Sequence, residues 1–188
     1  MAIYTVFEST NMGSTHYAER IFDAVATTDV ENGTFGYLDG LADGESNIYK
    51  FVAGTKEGEP VVVVDQPAWD ADTCRITNQR KDKFINEAGV PFRVRVVKKN
   101  DEFGITAEGI TAETREKLKE KAFLTIDATG KLVASETTTA SAIMEATVER
   151  KRITGGTIAT AAHNYGYSRT IYEAKVKNIS LILMKEEQ

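Results

Sequence analysis

Alternation of apolar and polar side chains with a period of two runs through most of this chain and limits its fold more than any other feature. Successive side chains of a strand point to opposite faces, so such a pattern marks a half-buried β-strand. In residues 142–150, Ala142, Met144, Ala146 and Val148 share one face, and Glu145, Thr147 and Glu149 the other. Phe92, Val94 and Val96 alternate with Arg93 and Arg95, which predicts both arginines on an outward face. From Thr170 to about Leu183, Tyr172, Ala174 and Val176 oppose Ile171, Glu173, Lys175 and Lys177. Val61 to Val64 is an unbroken β-branched run and reads as a strand buried on both faces. Shorter candidate strands lie at 2–8, 33–38, 47–52, 103–106, 123–126 and 131–134.

Turn chemistry falls between these runs. Asn32-Gly33, Asp39-Gly40, Asp43-Gly44, Thr129-Gly130 and Gly155-Gly156 supply residues that tolerate positive φ. They predict one tight hairpin over 123–134 and another over 150–160. A surface helix is expected at about 111–122, with Thr111 as cap, Glu113 four residues before Lys117, and a narrow stripe of Leu118 and Ala122. Residues 15–26 fit a helix (Ala18, Ile21, Phe22, Val25) and a strand equally. The expected fold class is therefore mainly β, with two small sheet or barrel-like units joined by the short helix. Residues 1–110 would form an N-terminal β domain with a flexible N-terminal arm and residues 120–188 a C-terminal one, unless the two are continuous.

Charge bears on partners. The formal net charge of −5 gives no global basic footprint for nucleic acid. Residues 1–47 hold eight acids and one base, whereas residues 75–99 hold eight bases and two acids. That asymmetry predicts either head-to-tail steering between copies or two solvated faces. No apolar stretch approaches the roughly 18 residues of a membrane span. The N-terminus lacks the basic and apolar regions of a signal peptide, so a soluble protein made in the cytoplasm is expected.

Candidate chemistry is sparse. Cys74 is the only cysteine, so no intrachain disulfide is available, and beside Arg75 it reads as an inert thiol rather than a nucleophile. The two histidines, His16 and His163, are far apart, and Ser168 near His163 lacks an orienting acid or oxyanion hole. These residues give no zinc cluster. Asp39 to Glu45 resembles a calcium loop but lacks its ligand spacing and reads as a turn. No phosphate-cradling glycine motif occurs. Arg150-Lys151-Arg152 is read as an exposed strand end rather than a nucleic-acid patch. His163 to Arg169, with Tyr165 and Tyr167, fits either an interface loop or aromatics folded back over a sheet. The chain is thus read as non-enzymatic, with no catalytic, cofactor-binding or metal residue.

The order of strands and turns carries one further signal. It rests on Asp29-Val30-Glu31-Asn32-Gly33-Thr34, the glycine loop 39–45 and Val61 to Pro67. The best stretch is Phe84 to Gly89, then Arg93, then Asp101 to Thr106, with Tyr167 to Val176 as a looser match. Over roughly residues 25–135 this pattern resembles the capsid decoration (cement) proteins encoded in head-gene clusters of tailed bacteriophages. The resemblance implies a virion structural protein, made in the host bacterial cytoplasm, that binds the outer surface of the major capsid protein lattice and stabilises the head. It implies no cofactor, and it allows self-association, for example as a trimer. Residues 1–12 would pair with a neighbour's sheet edge. The alternatives are another virion component (tail, connector or head fibre) or a cellular β-sheet ligand-binding module, which would need a concave aromatic pocket, whereas Trp69, the only tryptophan, sits in a turn-like Pro67-Ala68-Trp69-Asp70.

Overall fold

The computed structural model describes residues 3–15, 20–68, 81–139, 141–154 and 169–179. In chain order the strands are β1 (Phe7–Asn11), β2 (Ile21–Val25), β3 (Phe35–Leu41), β4 (Ile48–Ala53), β5 (Val62–Val64) and β6 (Phe92–Val96). They continue as β7 (Glu102–Thr106), β8 (Phe123–Ile126), β9 (Leu132–Ser135), β10 (Met144–Thr154) and β11 (Arg169–Ile179). The protein is mainly β and forms two sheets. β2, β4, β3, β5 and β6 close into a five-stranded barrel in which only the β2–β4 pairing is parallel. The other six strands form an antiparallel sheet in the order β1-β7-β11-β10-β8-β9.

The apolar alternation shows why the two sheets adhere. Val62 and Val64 point into the barrel beside Phe51, Phe92 and Val94, filling its interior with side chains. Val61 and Val63 point outward and join Phe35, Phe7, Phe103 and Ile105 in the core of the sheet. The run is buried on both faces because it serves two cores. Phe103 stacks on Phe7 at a centroid distance of 5.6 Å and lies 5.6 Å from the Phe35 ring of the barrel. Each such side chain removed from water contributes about 1.5–3 kcal/mol. The β8–β9 turn adds a polar tie. Gly130, at φ 78°, accepts the Phe35 amide at 2.8 Å, and its own amide reaches the Asp127 carbonyl. A Cβ at Gly130 would lie 2.2 Å from the Phe35 carbonyl oxygen, so glycine is required by both φ and space.

Several expectations need correction. The change from barrel to sheet falls between Val96 and Glu102, and β7 pairs with β11 and β1 instead of joining the barrel strands. β1 also belongs to the sheet, through β7. Alternation shows which side chains share a face but not which strands are neighbours. The expected helix is a 3-10 helix over Ala112–Lys117 with no buried residue, and Thr111 makes no side-chain cap. Its hydroxyl instead donates to Asp127 (3.0 Å), and the burial of Leu118 and Ala122 past the last turn draws the chain back to the core. This connector shields the β9 edge: Thr111 donates its amide to Leu132, and Ala134 donates its amide to the Thr114 hydroxyl.

The ambiguous segment 15–26 yields the strand β2. Residues 150–154 pair with 169–173, so the long hairpin is not closed over 150–160, and Gly155-Gly156 lies outside the described residues. Arg95 leaves the barrel wall outward as expected, yet it is only 6% exposed because the N-terminal segment covers it.

Candidate functional site

The N-terminal segment, read from sequence as an arm over residues 1–12, is fastened from Tyr4 to Ser14 along the seam between barrel and sheet. The Tyr4 amide donates to the Asp82 carbonyl at 2.9 Å. The Thr5 amide and hydroxyl both donate to Glu31, at 2.9 and 2.7 Å. The Val6 amide reaches the Thr106 hydroxyl at 3.1 Å, and the Ser9 hydroxyl donates to Asp65 at 2.7 Å. The Gly13 amide donates to Asp101 at 2.9 Å, and Arg95 donates to the Ser14 carbonyl at 3.1 Å. Three carboxylates from separate places in the chain thus hold this segment, which is 6% exposed at Phe7.

Asp65 is the centre of this seam. It follows the valine run directly, and its carboxylate accepts Arg95 Nε at 2.5 Å, with Arg93 Nη2 3.6 Å away. Arg93 Nε donates to the Asp65 carbonyl at 2.9 Å. Two guanidinium groups therefore share one carboxylate. Partial burial, followed by repulsion from Arg95, lowers the pKa of Arg93. Beside this cluster lies an open cleft of about 540 Å³. One wall is the run Thr5 to Thr10, and the other is built from Asp65 to Ala68 with Arg93 and Arg95. Lys81 also lines the cleft and is exposed.

The outer face of the sheet is different. β11 presents Glu173, Lys175 and Lys177 there, and each is ion-paired across a strand. Glu173 binds Arg150 and Arg152, Lys175 binds Glu102 at 3.0 Å, and Lys177 binds Glu149. Arg152 also binds Glu8. The hydrogen bond from Arg150, helped by Arg152 and opposed by burial, holds the Glu173 carboxyl below its ordinary range. The hydrogen bond to Glu173 raises Arg152 in turn. The basic run at 150–152 is thereby largely neutralised, with Lys151 resting over the Tyr172 ring.

Much of the charge asymmetry is quenched in the same way. Glu8, Glu31, Asp39 and Asp43 meet Arg152, Lys131, Lys56 and Lys50 within the molecule. Asp39 and Asp43 occupy separate lysines; residues 39–41 are the end of β3, and the chain turns at Asp43-Gly44, with Gly44 at positive φ. Among the described residues, no three of His, Cys, Asp or Glu come together as a metal site would require. His16, Trp69, Cys74, His163, Tyr165, Tyr167 and Ser168 all lie outside the described residues.

Sequence reasoning brought out Arg93 and Arg95 but missed Asp65, Ser9 and Lys81. A carboxylate placed directly after a fully buried valine run, two residues before a proline, was the available signal for Asp65. Fold and seam define a filled β-barrel fused to an antiparallel sheet, with a cleft along one sheet edge. No protein-family model, curated protein or solved structure matches the chain.

Proposed function

We propose that the protein is a virion structural component that binds the outer surface of a tailed-phage major capsid protein lattice and stabilises the head. The observation that carries this reading is where the residues behind the resemblance lie. Asn86 Nδ2 donates to the Val30 carbonyl (2.9 Å) and to Asn32 Oδ1 (3.1 Å), and the Gln66 amide donates to the same Asn32 oxygen. The Ala88 amide donates to Asp29, and the Gly33 amide to the Val64 carbonyl. Segments 29–34, 61–67 and 84–89 therefore form one hydrogen-bonded cluster around the barrel strand β5, while Phe103 and Ile105 pack in the adjoining core. Three of the segments that carry the pattern meet in space.

The physics suits the role. A decorator must fold before it meets the shell and present a rigid surface in many copies. A barrel filled by side chains and sharing a core with a sheet does both. Binding the assembled lattice better than its separate subunits stabilises it by mass action, and repetition strengthens a modest contact through avidity. Purified protein mixed with empty expanded heads lacking it should co-sediment to a saturating stoichiometry. Protein that stays in the supernatant at micromolar concentration sinks the reading.

A further inference from the structure

We propose that the cleft beside β1 binds an extended, carboxylate-bearing segment of a partner protein, which pairs with the outward backbone of Phe7 on β1 and sets an acidic side chain against Arg93 and Lys81. The wall of the cleft is a strand edge, not a strand face. A face would present alternate residues, whereas the whole run Thr5 to Thr10 lines the cleft. Phe7 is part of that run although its ring is stacked in the core on Phe103, so its backbone forms the wall.

Register shows what this backbone offers. β1 is the last strand of its sheet, and Thr106 donates its amide to the Val6 carbonyl. With Phe7 opposite Ile105 and Glu8 opposite Gly104, the bonded pairs to β7 are those of Val6 and Glu8. The amide and carbonyl of Phe7 point the other way, into the cleft. Of the other outward groups, the Thr5 amide is taken by the Glu31 carboxylate and the Ser9 carbonyl by the Met12 amide, so among the described residues Phe7 supplies the open donor and acceptor of this edge.

Charge selects the side chain the segment would carry. The cleft holds Lys81, Arg93 and Arg95 against Glu8 and Asp65. Glu8 is engaged by Arg152, and Asp65 lies closest to Arg95, at 2.5 Å. Arg93 makes the longer 3.6 Å approach to the Asp65 carboxylate besides its bond to the Asp65 carbonyl, with Asp23 opposite it on β2, and Lys81 has no ion-pair partner among the described residues. A carboxylate is thus the complement. Nucleic acid fits less well, because Glu8 and Asp65 line the same walls and the chain carries a formal net charge of −5.

This inference goes beyond the shell reading and is tested without a capsid. The full ¹⁵N-labelled chain is titrated with an acetylated, amidated eight-residue peptide alternating Val and Glu, with its Val–Lys counterpart, and with an eight-nucleotide dT strand. The Val–Glu peptide should give saturable shifts at the amides of Thr5 to Thr10, Gln66 and Arg93, and the other two probes should not. Lys81→Gln, at an exposed position, should weaken binding at least threefold with the spectrum otherwise unchanged, and Arg93→Gln at least tenfold. The proposal is overturned if no saturable shift appears at those amides, if the Val–Lys peptide or the dT strand binds as tightly, or if Lys81→Gln binds as the parent does.

Discussion

Phe7 and Asp65 show how single residues fix this architecture. Phe7 touches both the barrel, through Phe35, and the sheet, through Phe103. Phe7→Ala leaves a cavity where the two cores meet and should cost about 3–5 kcal/mol in urea denaturation. Loss of less than about 1 kcal/mol would mean that the strand is not anchored as described. Asp65→Asn removes the carboxylate from Arg95, whose side chain is 7% exposed, and should cost about 3–5 kcal/mol because a buried guanidinium loses its counter-charge.

Glu173 makes a prediction about pH. Its folded-state pKa lies below the ordinary value of 4.5, so its contribution is fully present above that value and is lost as pH falls through the folded pKa. Glu173→Gln should therefore lower the melting temperature by roughly 2–4 °C at pH 7, for a loss of about 1 kcal/mol. The gap between parent and variant should close on acidification below pH 4.5. A gap that is the same at pH 3 and pH 7 would contradict the ion-pair account.

At the scale of elements, faces were legible in the sequence and neighbours were not. Phe92, Val94, Met144, Ala146, Val148, Ala174 and Val176 are all buried, as alternation predicts. Val61 to Val64 is buried on both faces, and the 123–134 hairpin pairs Phe123 with Ser135 through Ile126 with Leu132. Pairing between distant segments depends on tertiary packing, which a period of two does not encode. Hence β7 appeared to belong with the strands before it, and β1 looked like an arm. Ile171 faces away from Ala174 and Val176, yet it is 1% exposed, for which periodicity gave no sign. The cleft was illegible for a related reason: its walls come from residues about 60–90 positions apart in the chain. At the β8–β9 turn, Gly130→Val forces a branched side chain into positive φ and against the Phe35 carbonyl. It should destabilise the protein by about 2 kcal/mol or more. The neighbouring change Thr129→Val, which removes one hydroxyl bond to Asp127 at an exposed site, should cost under about 1 kcal/mol. Equal effects of the two variants would show that the turn does not brace the barrel.

For the whole molecule, the shared core is the decisive property. Val61, Val63 and Phe35 of the barrel lie in the same cluster as Phe103, Leu124 and Val148 of the sheet. Unfolding should accordingly follow one transition, with coincident midpoints for far-ultraviolet circular dichroism and tyrosine fluorescence. Two separated transitions would mean that barrel and sheet are independent. A single block of this kind, with an ion-paired outer sheet face and an open cleft at its seam, suits work by adhesion. The proposed attachment to a shell is tested most directly by paired reconstructions of heads assembled with and without this chain. The account predicts difference density the size of one barrel and one sheet, repeated with the lattice on the outer capsid surface. Identical reconstructions, or density confined to the tail, would contradict it.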